Sequence, residues 1–333
     1  MTLSAATVTT VKGQAVLVSV VVPCYRSAST LPRLVEDLMQ TLPAVTTAFE
    51  VVLVVDGSPD DTWQVASQLA NKYPQTRAMR LARNYGQHNA LIAGVRNARY
   101  EVIVTMDDDL QHPADQIPVL LDALTDDIDL VYGVPVEEEH GFFRSFASRL
   151  VKSSMAATLE VQSARSISAF RAFRTFLRDG FDGLDGPHAS VDVALSWSTT
   201  RVAEATVRME ARAEGQSNYT FSLLIKHALT MLTGYSTKPL RLVGYLGFVC
   251  AVLGLALFGV IIYKYAVGAT TVAGFTTIAS MVALFSGAQM LAIGVLGEYV
   301  GRMHSDSMGR PTYVIRERTD VDAHPDITTT EEE

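Results

Sequence analysis

The sequence predicts an α/β domain built on a mostly parallel sheet, followed by an interfacial helix and a C-terminal two-helix transmembrane hairpin. Three observations carry that expectation. Short β-branched runs alternate with segments whose apolar residues recur at helical spacing, acidic residues stand where two of those runs stop, and two long uncharged runs lie together near the C-terminal end. Alternation of strand and helix gives βαβ units, whose parallel strands are covered by helices on both faces.

The elements follow in order. Residues 1–14 are small and polar, without a basic segment leading into an apolar core, and read as a disordered cytoplasmic tail rather than a cleaved signal. Residues 16–22 form a β-branched strand stopped by Pro23, and 51–55 a second stopped by Asp56-Gly57-Ser58-Pro59. Between them Leu31, Leu34, Val35, Leu38 and Leu42 mark a helix over 31–42. The grammar continues with a helix at 61–73, a strand at 76–81, a helix at 89–98 and a strand at 101–106 that runs into Asp107-Asp108-Asp109. A helix at 117–124, a strand at 130–134 and a helix at 142–159 come next, and Gly180, Gly183, Gly186 and Pro187 mark a loop before 191–197.

Residues 222–237 are amphipathic, with Leu223, Leu224, Ala228, Leu229 and Met231 set against Lys226 and His227, which suits a helix lying in a headgroup plane. An ordinary packed helix is the competing reading. The uncharged runs at 242–263 (22 residues) and 265–297 (33 residues) each reach the roughly 20 residues that cross a bilayer core. Core helices of a large soluble protein compete, but Gly247, Gly254 and Gly259 suit close packing in lipid. Lys226, Lys238 and Arg241 precede the first run, and Arg302, Arg310, Arg316 and Arg318 follow the second, while only Lys264 lies near the connector. The positive-inside bias then places both termini in the cytoplasm. The expected boundaries are a cytoplasmic α/β domain at 15–220, a juxtamembrane helix at 221–238, spans at 239–264 and 274–298 with a short external turn around 268–274, and a cytoplasmic segment at 299–333.

Composition excludes some classes. With 35 acidic against 27 basic residues, a net charge of −8 offers no overall field for nucleic acid. Only Cys24 and Cys250 are present, in unrelated apolar contexts, so no disulfide framework or thiolate metal site is indicated and any metal takes oxygen or histidine ligands.

In a parallel sheet the ligand crevice lies beyond the C-terminal ends of the strands, which is where Asp56 and Asp107-Asp108-Asp109 fall. Adjacent carboxylates repel one another, and a hard divalent cation with the phosphates it carries would neutralise them. A solvated acidic turn is the bland reading, and the buried strand ahead of the cluster weighs against it. Strand alternation sets Asp107 and Asp109 on one side and Asp108 on the other, making Asp109 the first choice for metal and Asp107 its support or a sugar-phosphate contact. Asp56 is placed to accept from a nucleobase imide or a ribose hydroxyl, with Gly57 allowing a close turn, against an ordinary Asx turn. Arg83, Asn84 and His88 open a helix and can contact a diphosphate or nucleotide ring, against a simple loop. No Gly-x-Gly-x-x-Gly follows the first strand and no Gly-x-x-x-x-Gly-Lys-Ser/Thr is present, so neither a dinucleotide loop nor a triphosphatase cradle is expected.

In order along the chain stand Val-Pro-x-Tyr at 22–25, Asp-Gly-Ser at 56–58, Arg-Asn-Tyr-Gly-Gln-His at 83–88, Asp-x-Asp-Leu-Gln-His-Pro at 107–113, Phe-Arg-Ala-Phe at 170–173, Gly-x-Ser at 215–217, Leu-Gly-Glu-Tyr-Val-Gly-Arg at 296–302 and Arg-Pro-x-Tyr at 310–313. This series resembles the inverting family 2 glycosyltransferases, of the polyprenyl-phosphate glycosyltransferase group, over nearly the whole folded chain. The resemblance implies a GT-A type sheet and a nucleotide-sugar donor, UDP-linked, met by Pro23, Tyr25, Asp56, Arg83, Asn84, His88, Asp107, Asp108 and Ser217. It implies Mg2+ or Mn2+ on Asp109 and Asp107, and a polyprenyl phosphate acceptor such as undecaprenyl phosphate at the cytoplasmic leaflet of the plasma membrane. Arg212 matches the family arginine before Gly-x-Ser and is the candidate phosphate clamp, with Arg208 a neighbour. A homo-oligomer, tetrameric through the membrane region, is implied as well.

Three departures stand out. Val55 occupies the first position of the family's Asp-Asp-Gly-Ser, Asn218 replaces the lysine of Gly-x-Ser-Lys, and Arg165 stands in a segment where members commonly place an aspartate; Arg165 is then a candidate for positive charge in catalysis. A catalytically impaired membrane partner of another transferase is one alternative. A processive polysaccharide synthase is the other, although the Gln-x-x-Arg-Trp motif and additional spans it would need are missing.

Overall fold

The computed structural model describes residues 16–135, 167–182, 186, 189–210, 238–268 and 274–319. The expected tail at 1–14, the helices at 142–159 and 222–237, the turn at 269–273 and the candidates Arg165, Arg212 and Ser217 lie outside the described residues, as does Asn218. The chain divides into two compact units, one holding the sheet and one the helical hairpin, and the segment from Arg310 onward belongs to the first.

In the first unit the strands β1 (Leu17–Cys24), β2 (Ala48–Val55), β3 (Thr76–Leu81) and β4 (Val102–Thr105) are parallel, with β1 between β4 and β2 and β3 beyond β2. Both faces of these strands are apolar because both are covered. Val18, Val20 and Val22 of β1 with Val51 and Leu53 of β2 pack against helices α1 (Leu31–Thr41) and α2 (Thr62–Lys72), and on the same side against α4 (Ile117–Ala123). Val21, Val52 and Val54 face the opposite way, toward α3 (Gln87–Asn97) and α5 (Val191–Ser198). Each such fully buried side chain contributes about 1.5–3 kcal/mol, which is why runs of valine hold the centre of the sheet.

The described strands form one eight-stranded sheet in the order β7-β5-β6-β4-β1-β2-β3-β8. The strands β5 (Leu130–Pro135) and β7 (Val202–Val207) pair parallel to each other. The strand β6 (Arg171–Arg174) runs antiparallel between β4 and β5, and β8 (Ile315–Arg318) antiparallel along β3. The sheet is therefore mostly parallel, as expected, with two short reversed strands that sequence periodicity does not reveal. At the N-terminal end of β1 and β2, away from the crevice, Glu50 accepts from Ser19 Oγ (2.7 Å), Arg77 Nε (2.8 Å) and the Arg99 N–H (2.7 Å), a buried polar cluster with its partners in place.

The second unit contains α6 (Lys238–Ala266) and α7 (Phe275–Ser307), of 29 and 33 residues. Large apolar side chains on them are exposed, among them Leu242, Phe248, Leu255, Tyr263 and Met290. Among the described residues no helix is long and apolar enough to cross a membrane. Of the expected pair of spans, the described residues show a hairpin of two long helices.

Candidate functional site

A cleft of about 280 Å³ opens at the C-terminal ends of β1, β2 and β4, lined by Pro23, Cys24, Tyr25, Asp56, Asn84, Gly86, Gln87, Asp107, Asp108 and Asp109. The sheet topology accounts for this convergence. Parallel neighbours end at the same edge, so turns that are 30 or more residues apart in sequence become adjacent.

Asp56 follows β2 and is 3% exposed. Its carboxylate accepts from the Tyr85 N–H (2.7 Å) through one oxygen and from the Gly86 N–H (2.8 Å) through the other. Burial raises its pKa from the ordinary carboxylate value, and the two N–H donors and the Arg83 charge oppose that shift. The side chain therefore fastens the 83–86 loop as well as lining the cleft. Gly57 makes the approach feasible: its φ is +56°, and a Cβ there would stand 2.2 Å from the Arg83 carbonyl carbon. Val55 is fully buried in the core beside it.

β4 stops at Thr105, so the three aspartates stand in the turn beyond it and strand alternation does not govern them. Asp107 accepts from Gln87 Nε2 (2.7 Å) at the start of α3. Asp108 turns toward β1, accepting from the Tyr25 N–H (3.2 Å) and from Ser27 Oγ. Burial pushes its pKa up, and the negative charge of Asp109 adds to the rise. Asp109 accepts from the Gln111 N–H (3.1 Å) two residues on. Leu110 has φ +62°, a left-handed step that turns the chain down to His112. The His112 ring is buried and stacks on Phe170 at 5.0 Å, and burial lowers its pKa so that it is neutral near pH 7.

The remaining candidates are placed as follows. Asn84 and Tyr25 are exposed in the cleft, and Arg83 lies over the Tyr85 ring at 4.5 Å. His88 acts electrostatically on Asp192 rather than lining the cleft. Arg208 pairs with Asp115 (2.8 Å) beside a second cavity of about 260 Å³ bounded by α1 and residues 110–115; Arg33 there pairs with Asp37 (3.7 Å).

Three contributors escaped sequence reasoning. Gln87 lies inside the quoted 83–88 motif, and only its contact with Asp107 distinguishes it. Ser27 carries no signal at all. The third is Arg171, quoted within the 170–173 motif but given no role there; it is 1% exposed, its Nη1 pairs with Asp192 and its Nε donates to Thr105 Oγ1 (3.0 Å) at the end of β4. Burial alone would raise Asp192, but Arg171 and then His88 outweigh it and hold the carboxyl below its usual range. Through Arg171 the end of β4 is tied to β6 and α5.

The donor set suits a hard cation, because Asp107, Asp108 and Asp109 all line the cleft, with Asp108 also bonded to the Tyr25 N–H after β1. Among the described residues no group of three or more His, Cys, Asp or Glu is arranged to hold a metal ion. A cation here would have to draw further ligands from water or substrate.

Comparison with known proteins bears on the site. Residues 19–182 match Glycosyl transferase family 2, and residues 238–303 match the GtrB C-terminal hairpin. The undecaprenyl-phosphate 4-deoxy-4-formamido-L-arabinose transferase of Proteus mirabilis (strain HI4320) is 32% identical over 306 residues, covering 90% of this chain and 93% of that protein. The protein of the same name from Yersinia enterocolitica is 31% identical, covering 90% and 92%. Among solved structures, glucosyl-3-phosphoglycerate synthase from Mycobacterium tuberculosis, in complex with Mn2+, uridine-diphosphate and glucosyl-3-phosphoglycerate, superposes with a TM-score of 0.51 at 16% identity, covering 67% of this chain and 80% of that one; this likeness bears on the fold alone.

Proposed function

The chain belongs to glycosyl transferase family 2 and is a glycosyltransferase, and on that premise we propose that it transfers a sugar from a nucleotide donor to a polyprenyl phosphate such as undecaprenyl phosphate, with inversion at the anomeric carbon. One observation carries the reading at the site: three parallel strands deliver Asp56, the 83–87 wall and Asp107 to Asp109 into a single cleft. The relatives named for undecaprenyl-phosphate sugar transfer, aligned over 90% of the chain, support the acceptor.

Each residue then has a task. Tyr25, Asn84 and the Asp56-fastened loop form the wall for the nucleoside. Asp107 and Asp109 would hold Mg2+ or Mn2+, with Gln87 orienting Asp107. When bound, that cation would offset the charge of the donor diphosphate and of the leaving nucleoside diphosphate. The acceptor phosphate oxygen forms the new bond to the anomeric carbon as the bond to the diphosphate oxygen breaks. That oxygen is already anionic, so the protein's work is positioning and charge neutralisation rather than strong general-base catalysis. Arg212, with Arg165 as a second cation, is proposed to clamp the acceptor phosphate, and Ser217 to contact the donor.

A lipid acceptor places the reaction at a membrane surface. The uncharged runs at 242–263 and 265–297 and the exposed apolar side chains of α6 and α7 support a membrane-spanning hairpin with the catalytic domain and both termini in the cytoplasm. Assembly as a homo-oligomer belongs to the same proposal.

The test is transfer of radiolabelled sugar from a panel of nucleotide sugars to undecaprenyl phosphate by the purified full chain, with and without Mn2+. Asp109→Ala, folded as judged by circular dichroism, should lose transfer. Full activity in that variant would remove Asp109 from the mechanism, and no transfer from any donor by the unmodified protein would favour the impaired-partner alternative.

A further inference from the structure

The Arg310-Pro311-Thr312-Tyr313 motif and the strand after it take no part in the transfer chemistry above, yet they are built into the sheet unit. β8 lies along β3 with Arg80 opposite Glu317 and Leu81 opposite Ile315, a register shift that leaves Arg316 unpaired in the ladder. One residue further, the Ala82 N–H donates to the Val314 carbonyl (2.8 Å). The cleft-wall residues 83–86 follow immediately. Their near end is thus fixed by a backbone bond to the C-terminal segment, and their far end by the Asp56 carboxylate.

The motif side chains reinforce the same region. Tyr313 and Ile315 pack against the core cluster to which α3 contributes Ala90, Leu91 and Ile92. The Arg96 guanidinium, also on α3, lies 5.9 Å from the centre of the Tyr313 ring. Thr312 is buried and accepts from the Gly186 N–H (3.2 Å), which anchors the segment ahead of the strand.

We propose that residues 310–318 are a positioning strap for the donor-binding wall, holding residues 82–86 and the start of α3 where a nucleoside diphosphate is met. The ligand named rests on the function proposed above; the mechanical link does not. A strand that merely covered the edge of β3 would protect the sheet from pairing with other chains and would have no separate effect on the donor.

The experiment uses the full chain with Tyr313→Ala and, separately, Ile315→Ala, read by amide hydrogen exchange and by transfer kinetics. Amides of 82–90 should lose protection while those of β1 and β4 keep theirs. The donor concentration for half-maximal rate should rise about fivefold, with turnover at saturating donor and the acceptor requirement changed less than about twofold. Tyr313→Phe, which keeps the ring, should behave as the unmodified protein. Even loss of protection across the whole sheet, or unchanged protection at 82–90, would overturn the strap. Should neither alanine variant fold, exchange in the unmodified protein decides. The Ala82 amide must open together with those of 315–318, and independent opening would overturn the proposal. Selective loosening of 82–90 in a protein whose unmodified form binds no nucleotide would instead overturn the donor reading.

Discussion

Gly57→Ala tests the coupling between Asp56 and the cleft wall. The residue has φ +56°, where alanine costs about 1–2 kcal/mol more than glycine. Its new Cβ would lie 2.2 Å from the Arg83 carbonyl carbon and 2.5 Å from the Asn84 nitrogen, both backbone atoms that cannot swing aside. To reach an ordinary contact of 3.4 Å the loop must retreat by about 1.2 Å. That displacement stretches the two N–H bonds from Tyr85 and Gly86 to the Asp56 carboxylate, now 2.7 and 2.8 Å. Bonds to a charged acceptor contribute about 1.5–3 kcal/mol each, so loss of one with the backbone strain comes to about 3–5 kcal/mol. For a domain of this size that corresponds to a fall in Tm of about 10 °C. A shift of about 1 Å in a substrate-positioning loop also lowers transfer on the order of a hundredfold. Differential scanning fluorimetry and the transfer assay measure both. Gly57→Asn separates the causes, because asparagine tolerates positive φ but still carries a Cβ. A Tm within about 1 °C of the unmodified protein in Gly57→Ala, or recovery in Gly57→Asn, would refute the collision.

Other outcomes follow from buried charge. Arg171→Met strands the Asp192 carboxylate and should lower stability by about 3–5 kcal/mol in urea unfolding. Asp192 has a folded pKa below its unfolded value of 3.8. Its contribution is present above that pH and is lost as pH falls through the lower folded value; Asp192→Asn should remove this part of the acid limb. Burial pushes Tyr132 up from 10.0 to about 12, so the unfolded chain ionises first. Stability should fall by about 3 kcal/mol between those values, and Tyr132→Phe should flatten that limb. Gln87→Ala, exposed but bonded to Asp107, should leave Tm nearly unchanged and reduce turnover about tenfold at saturating donor.

The parallel centre of the fold was legible because β1 and β2 are valine-rich runs and α1 shows clean helical spacing. β6 and β8 were not legible. They read Arg-Ala-Phe-Arg and Ile-Arg-Glu-Arg, too short and too charged for alternation to register, and what makes them strands is the open backbone of β4, β5 and β3 beside them. The boundary expected at 299 was similarly displaced, since α7 continues to Ser307 and the chain from Arg310 joins the sheet unit. Uncharged length identified the hairpin, which the match at 238–303 bears out as a hairpin domain.

At the site, sequence alone located the acidic residues and the edge of the sheet where they gather, because strand direction and strand ends are local properties written in β-branching, proline and aspartate. It did not determine what each carboxylate touches. Asp56 was expected to face a ligand, and its oxygens instead accept from amides 29 and 30 residues away. Asp107 and Asp108 part company by partner, one to Gln87 and the other to Tyr25 and Ser27. Hydrogen-bond partners are settled by three-dimensional proximity and by the need to satisfy buried polar atoms, and neither is encoded in spacing along the chain. The sequence thus determined which chemistry is present, and the tertiary structure decided which groups bond to one another and which line the cleft.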